Sequence, residues 1–137
     1  MSNKRNWKII YSDYSGVQKK AVDLIYKEVG ALILRDTGKY TLHVLTCEKS
    51  ETSTVDKNVI IIGRYDDNKL IADYIDRSEI PENGYVVKVT KSTDDSSLNA
   101  VIITALTSRE VFYGAVDFID NYLPKAELVR SNLHFYN

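Results

Sequence analysis

The sequence predicts an α+β domain, a two-layer α/β sandwich in which a mixed β-sheet packs against two main helices. Two stretches place apolar residues at helical spacing, and five short stretches are rich in β-branched and aromatic residues. These elements follow the order β-α-β-β-(short α)-β-β-α, which lacks the regular strand–helix alternation of a doubly wound fold. The 137 residues have the size of one domain, and we expect a single domain over residues 1–137.

The first half of the chain supplies two strands and a long helix. Trp7–Ser12 is β-rich and ends in polar residues, which predicts a strand. The sequence Ser15-Gly16-Val17-Gln18 has capping-box spacing, so we expect a helix from about residue 16 to 34. Tyr40–Thr46 is strand-like, and Cys47–Lys57 reads as a polar loop. The predicted apolar face of the helix comprises Val17, Ala21, Leu24, Ile25, Glu28 and Leu32.

The second half of the chain predicts three strands and two helices. Val59–Ile62 is apolar at every position, which indicates a strand buried on both faces at the centre of the sheet. Asn68–Ile75 predicts a short helix whose apolar side chains face inward. Tyr85–Lys91 and Ala100–Ala105 predict an antiparallel hairpin. A second capping box, Thr107-Ser108-Arg109-Glu110, opens a helix over Ser108–Leu123 that Pro124 ends.

The last ten residues are unusually apolar for a chain end. They include five large apolar side chains, whereas free termini are usually frayed and polar. Two explanations stay open: a final packed strand, or a chain that continues into another domain. The five side chains are Leu128, Val129, Leu133, Phe135 and Tyr136.

The charge and cysteine content exclude several classes of protein. Lys+Arg number 18 against 19 Asp+Glu, so the chain lacks the basic excess that nucleic-acid binding requires, and we expect no nucleic-acid partner. One cysteine, Cys47, permits no internal disulfide and favours a reducing compartment. No apolar run approaches the ~18 residues of a membrane span. We expect a cytoplasmic protein without membrane contact, although a secretion signal removed before residue 1 stays an alternative.

The residue types that perform chemistry are sparse. His43 and His134 lie in separate segments, and one cysteine cannot form a zinc knuckle, so no metal site is expected. Cys47 is expected to be an inert residue at a strand end. Gly63 is a lone glycine followed by the acidic pair Asp66-Asp67, which disfavours a phosphate cradle. We therefore expect no cofactor.

Acidic pairs and tyrosines are the remaining candidates for function. Asp66-Asp67 and Asp94-Asp95 fall in polar loops, where aspartates are mostly solvated turn formers. Paired carboxylates can also hydrolyse glycosides, so a small enzyme built on Asp66-Asp67 is one hypothesis. The 10 tyrosines could stack on sugar rings, but most fall at ordinary strand and helix positions and read as core-edge packing.

Four segments of the chain resemble a known family. In order they are a strand ending in glycine, an E-x-G-Y strand, an apolar strand and a helix with an R-[GE]-x-x-Y-G pattern. This arrangement is similar to the small domain that precedes the catalytic barrel in β-N-acetylhexosaminidases, α-glucuronidases and related glycoside hydrolases. Most of the chain fits the same layout. The segments are Asn58–Gly63, Glu82–Val89, Ala100–Ala105 and Ser108–Val116.

The resemblance implies a zincin-like sandwich without a zinc centre and without catalytic residues. In that family the catalytic carboxylates lie in the (β/α)₈ barrel that follows, so we expect no activity from this chain alone and a downstream barrel as its partner. Arg109 and Tyr113, on the helix that leads towards the barrel, are the expected interdomain contacts. Glu110 departs from the family pattern, which commonly has glycine there. The alternative function is a stand-alone carbohydrate-binding or protein-interaction module.

Overall fold

A computed structural model of the chain describes residues 6–37, 45–51, 53–129 and 132–137. Seven strands and two α-helices occur in these ranges. The strands are β1 (Trp7–Tyr11), β2 (Leu45–Lys49), β3 (Asn58–Arg64), β4 (Tyr85–Lys91), β5 (Asn99–Ala105), β6 (Glu127–Val129) and β7 (Asn132–His134), and the helices are α1 (Gly16–Thr37) and α2 (Ser108–Asp117).

Five strands form one mixed sheet in the order β2-β1-β3-β5-β4. β1 pairs in parallel with β2 and β3, and β3 pairs in parallel with β5. β4 and β5 form the expected antiparallel hairpin. The predicted two-layer α/β sandwich with a mixed sheet and two main helices is confirmed. The central position predicted for Val59–Ile62 is also confirmed, and all four side chains are buried.

Both helices lie on one face of the sheet, but α1 is rotated relative to the prediction. Val17 is exposed, and the buried stripe begins one residue later, at Gln18. The prediction began the buried face at Val17 because Gln18 is polar. Gln18 is buried nevertheless, because its amide group makes hydrogen bonds to residues outside α1. The buried side chains of α1 are Gln18, Ala21, Val22, Ile25, Val29, Leu32 and Ile33.

The second face of the sheet is covered by an irregular segment, residues 65–84, which we call the strap. Its predicted short helix is a single 3₁₀ turn, Ile71–Asp73. The inward orientation predicted for Leu70, Ile71, Tyr74 and Ile75 is confirmed: the last three are buried against this face, and Leu70 packs against it partly buried. The sheet residues beneath the strap are Ile10, Val59, Ile61, Ala100 and Ile102.

Asn68 fixes the start of the strap to the sheet. The side chain is fully buried, and its Nδ2 donates to the carbonyl oxygens of Ile10 at 3.2 Å and Ile62 at 3.0 Å. Its Oδ1 accepts a hydrogen bond from the backbone N–H of Leu70 at 3.2 Å. One amide therefore joins β1, β3 and the strap, and its donors and acceptor all have partners.

Lys8 holds the β2–β3 connection against the same face. Its side chain is buried, and its Nζ lies 3.1 Å from Glu48 Oε2 and 2.9 Å from Asp56 Oδ1. It also donates to the carbonyl oxygen of Thr54 at 2.8 Å. A buried ammonium needs such partners because its desolvation is costly. The hydrogen bond from Lys8 lowers the pKa of the Asp56 carboxyl.

β2 lies later in the chain than predicted. Residues 40–44 of the predicted strand Tyr40–Thr46 lie outside the described residues. The strand seen here is Leu45–Lys49, which pairs in register with β1 from Trp7 to Tyr11. Cys47 is therefore inside a strand, and its assignment to the end of a strand and the start of a polar loop was wrong. The polar sequence misled the prediction because β2 is an edge strand, whose residues are only partly covered.

The C-terminal segment packs back onto the helix layer. α2 continues beyond Asp117 as a π-helical turn, Phe118–Tyr122, and then a 3₁₀ turn that contains Pro124. The α-helix therefore ends before the predicted Leu123, although the helical stretch as a whole reaches Lys125.

β6 and β7 form a hairpin, after which the buried ring of Phe135 lies 5.2 Å from Trp7 and 5.0 Å from Phe118 between ring centroids. A packed strand accounts for Leu133 and Phe135, which are buried. The other three apolar side chains of this segment are exposed, so the second explanation stays open for Leu128, Val129 and Tyr136.

Candidate functional site

The carboxyl ends of β1 and β3 meet at a polar cluster between the starts of the two helices. In open α/β sheets, ligands bind where adjacent parallel strands send their connections to opposite faces. β1 leads to α1 on one face and β3 leads to the strap on the other, so this is where a ligand would be sought first. The strand-end cluster, as we call it, consists of Ser12, Asp13, Gln18, Arg64, Asp67 and Ser108.

Asp67 is the centre of this cluster. Its carboxylate accepts hydrogen bonds from Ser12 Oγ at 2.7 Å and Arg64 Nε at 3.0 Å. Gln18 Nε2 contacts the same carboxylate at 3.3 Å and donates to Ser108 Oγ at 3.0 Å. Because Gln18 and Ser108 lie in the first turns of α1 and α2, the network joins both helices to the end of β3.

Gly63 makes room for the cluster. Its φ of +150° is one that side chains rarely adopt. A Cβ at this position would lie 3.2 Å from Asp67 Oδ1 and 3.3 Å from the Asn68 Cβ. From the sequence, Gly63 was considered only as part of a phosphate cradle, but here the glycine is favoured because of its φ and because two side chains of the strap approach the backbone of β3.

The two aspartates of the Asp66-Asp67 hypothesis do not act as a pair. The Asp67 side chain is 20% exposed and turned into the cluster. The Asp66 side chain is 74% exposed, and its Oδ1 lies 4.0 Å from Arg64 Nε, compared with 3.0 Å for Asp67 Oδ2. Among the described residues no histidine lies in the cluster, and the carboxylate that Ser12 contacts, that of Asp67, also accepts a hydrogen bond from Arg64. Within the described ranges, no group of three or more His, Cys, Asp or Glu residues could hold a metal ion.

Asp67→Ala is expected to destabilise the fold by about 1–3 kcal/mol, because three donors lose a charged acceptor. Asp66→Ala, its neighbour and matched control, is expected to change stability by less than about 0.5 kcal/mol. Urea unfolding of both variants measures the difference. Equal midpoints for the two variants would contradict a structural role for the cluster.

Arg109 and Tyr113, the expected interdomain contacts, lie one turn apart on the exposed side of α2. The Arg109 side chain is 71% exposed and Tyr113 is 51% exposed. Arg109 Nε lies 3.1 Å from Glu110 Oε2, so the guanidinium is held by the next residue. The structure thus places the pair together on one accessible surface, and their role in contacting another domain stays a prediction.

Glu110 is buried at the first turn of α2. The expected Thr107 cap is present, since its hydroxyl oxygen accepts from the Glu110 N–H at 3.3 Å. The return bond differs from a capping box: the Thr107 hydroxyl donates to the Glu110 carboxylate at 2.8 Å. Arg109 and then Thr107 lower the pKa of this carboxyl through their hydrogen bonds. The glutamate thereby positions Arg109, while Thr107 caps the helix.

A second exposed group, which the sequence analysis missed, surrounds Tyr14. Its ring lies 5.2 Å from that of Tyr11, and the Lys19 ammonium sits 5.0 Å from its centroid. The Tyr14 hydroxyl donates to the Asp23 carboxylate and lowers its pKa. One face of this ring is thus occupied by a cation, which limits its use for stacking on a sugar.

Cys47 is expected to react slowly, because its thiol is partly desolvated although the residue as a whole keeps an exposed surface. Burial of the thiol raises its pKa to about 11, and only the thiolate is nucleophilic. Against an unfolded chain with a thiol pKa of about 8.5, alkylation at pH 8 should be slower by a factor on the order of 100. Iodoacetamide labelling in buffer and in urea measures this ratio. Similar rates in the two solvents would contradict the raised pKa.

Comparison with known proteins gives no family for this chain. No protein-family model matches it, and no curated protein matches it either. The likeness to glycoside hydrolase accessory domains therefore depends on the motifs quoted above. Among the helices that the structure describes, none is long and apolar enough to cross a membrane.

Proposed function

We propose that this domain is a non-catalytic accessory domain of a glycoside hydrolase, of the β-N-acetylhexosaminidase and α-glucuronidase type, that packs against a downstream (β/α)₈ barrel. Three things support the proposal. The four motifs occur in the family's order, the sandwich architecture is the one that the resemblance implies, and the polar residues at the strand ends bond to one another. The motif order carries the family assignment, and the cluster supports the non-catalytic part of the proposal, since three of the roughly four acceptor positions of the Asp67 carboxylate are taken by the chain's own donors.

The proposed contact with the barrel is made by Arg109 and Tyr113. Arginine and tyrosine are enriched among the residues that contribute most to interfaces, because each combines a large contact area with polar ends. Here Glu110 already holds the guanidinium, so less side-chain entropy is lost on docking. The exposed Tyr113 ring would be buried against the barrel.

The first experiment is to sequence the natural reading frame beyond codon 137. A frame that continues into several hundred residues of alternating strands and helices supports the proposal, and a stop codon after Asn137 overturns it. The isolated chain should also show no turnover of aryl glycosides, and measurable turnover would overturn the non-catalytic assignment.

Variants of the two-domain protein then test the contact surface. Tyr113→Ala and Arg109→Ala are each expected to weaken domain docking by about 1–2 kcal/mol, as for central interface residues. Tyr26→Ala is the matched control, because Tyr26 is 47% exposed on α1. Thermal unfolding of the two-domain protein reports the loss. An equal effect of all three substitutions would contradict the assignment of the interdomain contact to α2.

A stand-alone carbohydrate-binding module is the second candidate, because Tyr26, Tyr113 and Tyr136 each expose close to half of their surface. Exposed aromatic rings can stack on sugars. Under this function, chemical shift changes during titration with a glycan panel would centre on these tyrosines. A flat titration would leave the accessory domain as the only candidate of the two.

A further inference from the structure

The turn that precedes β4 contains the only asparagine–glycine pair in the sequence, Asn83-Gly84. Glu82 and Asn83 form this turn and both are exposed, and Gly84 leads directly into β4 at Tyr85. A glycine has no side chain to shield its backbone nitrogen or to restrict its backbone dihedral angles. The nitrogen of Gly84 can therefore approach the side chain of the residue before it.

The side-chain amide of Asn83 is not held by the rest of the protein. Among the residues that the structure describes, it makes no hydrogen bond. Most other asparagines differ, because their side-chain amides are held by hydrogen bonds. These asparagines are Asn58, Asn68, Asn99, Asn121, Asn132 and Asn137. Asn83 thus combines an exposed position, an unrestrained amide and a glycine as the next residue.

The packing of this turn favours glycine at position 84. A Cβ there would lie 2.8 Å from Pro81 Cγ, well inside the usual separation of two carbons in contact. An alanine would therefore have to displace the Pro81 ring. The turn thereby keeps the one residue type that leaves Asn83 open to attack by the main chain.

We propose that Asn83-Gly84 is a self-modification site, at which Asn83 loses ammonia and becomes a mixture of aspartate and isoaspartate. Asparagine is among the thermolabile residues of proteins. The Gly84 nitrogen attacks Asn83 Cγ, so a bond forms between these atoms and the bond from Cγ to Nδ2 breaks. The proton of the Gly84 amide leaves with Nδ2 as part of ammonia, and a succinimide ring remains. Water then opens the ring at either carbonyl, without any oxidation or reduction.

The two products differ in how they join the turn to β4. Hydrolysis at the side-chain carbonyl of residue 83 gives aspartate with an unchanged main chain. Hydrolysis at its main-chain carbonyl gives isoaspartate, whose Cβ becomes an additional atom of the main chain. The pairing of Tyr85 with Ala105 fixes the start of β4. The turn must therefore absorb the added length, at the contact between Pro81 and Gly84.

Both products also add one carboxylate to the surface. The formal net charge of -1 becomes more negative by one, because an anion replaces a neutral amide. Glu79 and Glu82, which are both exposed, are close to residue 83 in the sequence. Modified molecules thus gain negative charge where the strap meets β4, and isoelectric focusing separates them from unmodified molecules.

Peptide mapping of the incubated protein tests the proposal. The full chain is kept at pH 8 and then digested with trypsin, which releases Asn83 in the fragment Ser78–Lys88. We expect this fragment to divide with time into asparagine, aspartate and isoaspartate forms, which chromatography separates and mass spectrometry assigns. A digest of fresh protein gives the starting point.

The fragment Glu110–Lys125 from the same digest is the internal control. Its asparagine, Asn121, is also exposed, but the next residue is tyrosine and the amide donates to Asp117 Oδ1 at 2.6 Å. This fragment should stay unchanged over the period in which the fragment with Asn83 converts.

Variants and conditions test the route of the reaction. Asn83→Gln should abolish the conversion over the same period, because its side chain is one carbon longer and forms a larger ring less readily. The rate in the natural sequence should rise with pH, since the attacking nitrogen must lose its proton. The folded chain should convert within about tenfold of the rate in urea, because an exposed turn opens at little cost in free energy.

Four results would overturn the proposal. The first is an unchanged Ser78–Lys88 fragment, and the second is aspartate without isoaspartate, which would indicate direct hydrolysis of the amide. The third is equal conversion of Asn83 and Asn121. The fourth is conversion in urea alone, which would mean that the folded turn protects Asn83.

Discussion

Asn68→Asp should be among the most destabilising single substitutions in this domain, costing about 3–5 kcal/mol at pH 7. The change is isosteric, but it replaces the amide that donates to the carbonyls of Ile10 and Ile62 with a negative oxygen. A buried charge left without a partner costs about that much. Urea unfolding monitored by circular dichroism measures the loss.

The penalty of Asn68→Asp should shrink as the pH falls. Burial beside two carbonyls raises the folded-state pKa of the new carboxyl above its unfolded value of about 4. The destabilisation is therefore smallest below pH 4, where both states are protonated, and it grows as the pH rises towards the folded-state pKa. Asn68→Leu is the control, with a loss that does not depend on pH in this range. A penalty for Asn68→Asp that is equal at pH 4 and pH 7 would contradict this account.

Phe135→Ala is expected to cost about 3–5 kcal/mol, the range for truncating a buried phenylalanine. The Phe135 ring is buried between Trp7 and Phe118, so its loss leaves a cavity that joins β1, the end of α2 and the C-terminal segment. Thermal or urea unfolding gives the size of the effect.

Tyr136→Ala is the matched control for Phe135→Ala, because the next ring along the chain is 43% exposed. It should change the free energy of unfolding by less than about 1 kcal/mol. If Phe135→Ala were equally mild, the C-terminal segment would be only loosely attached, and the packing described here would be wrong.

Local sequence patterns predicted the elements whose formation depends on neighbouring residues. Each of these elements depends on one continuous stretch with a recognisable spacing or run of residue types. They are the Thr107 cap, the apolar strand β3 and the hairpin of β4 and β5. β2 was misplaced because an edge strand shows no complete apolar pattern. The predicted apolar face of α1 is buried at Ala21, Ile25 and Leu32, but its start was wrong. The prediction missed Gln18, since the burial of this polar residue depends on partners nearly 50 and 90 residues away.

The strand-end cluster could not be found from spacing. Ser12, Gln18, Asp67 and Ser108 come together only after β1 and β3 pair and both helices pack on the sheet. Asp67 was considered only as half of an acidic pair. Gly63 was the one feature of the sequence that marked this place. The reason for a glycine there becomes apparent only in the folded protein, where side chains of the strap approach its backbone.

The unequal cover of the two sheet faces has a consequence for how this protein opens. Two α-helices protect one face, whereas the other is covered by the strap, which contains 3₁₀ turns but no α-helix or strand. Segments of this kind unfold locally at a lower free energy than the rest of a domain. Each local unfolding of the strap would expose an apolar patch suited to self-association, formed by Ile10, Ile61 and Ile102. Solubility at high concentration would thus depend on how firmly Asn68 holds the strap closed.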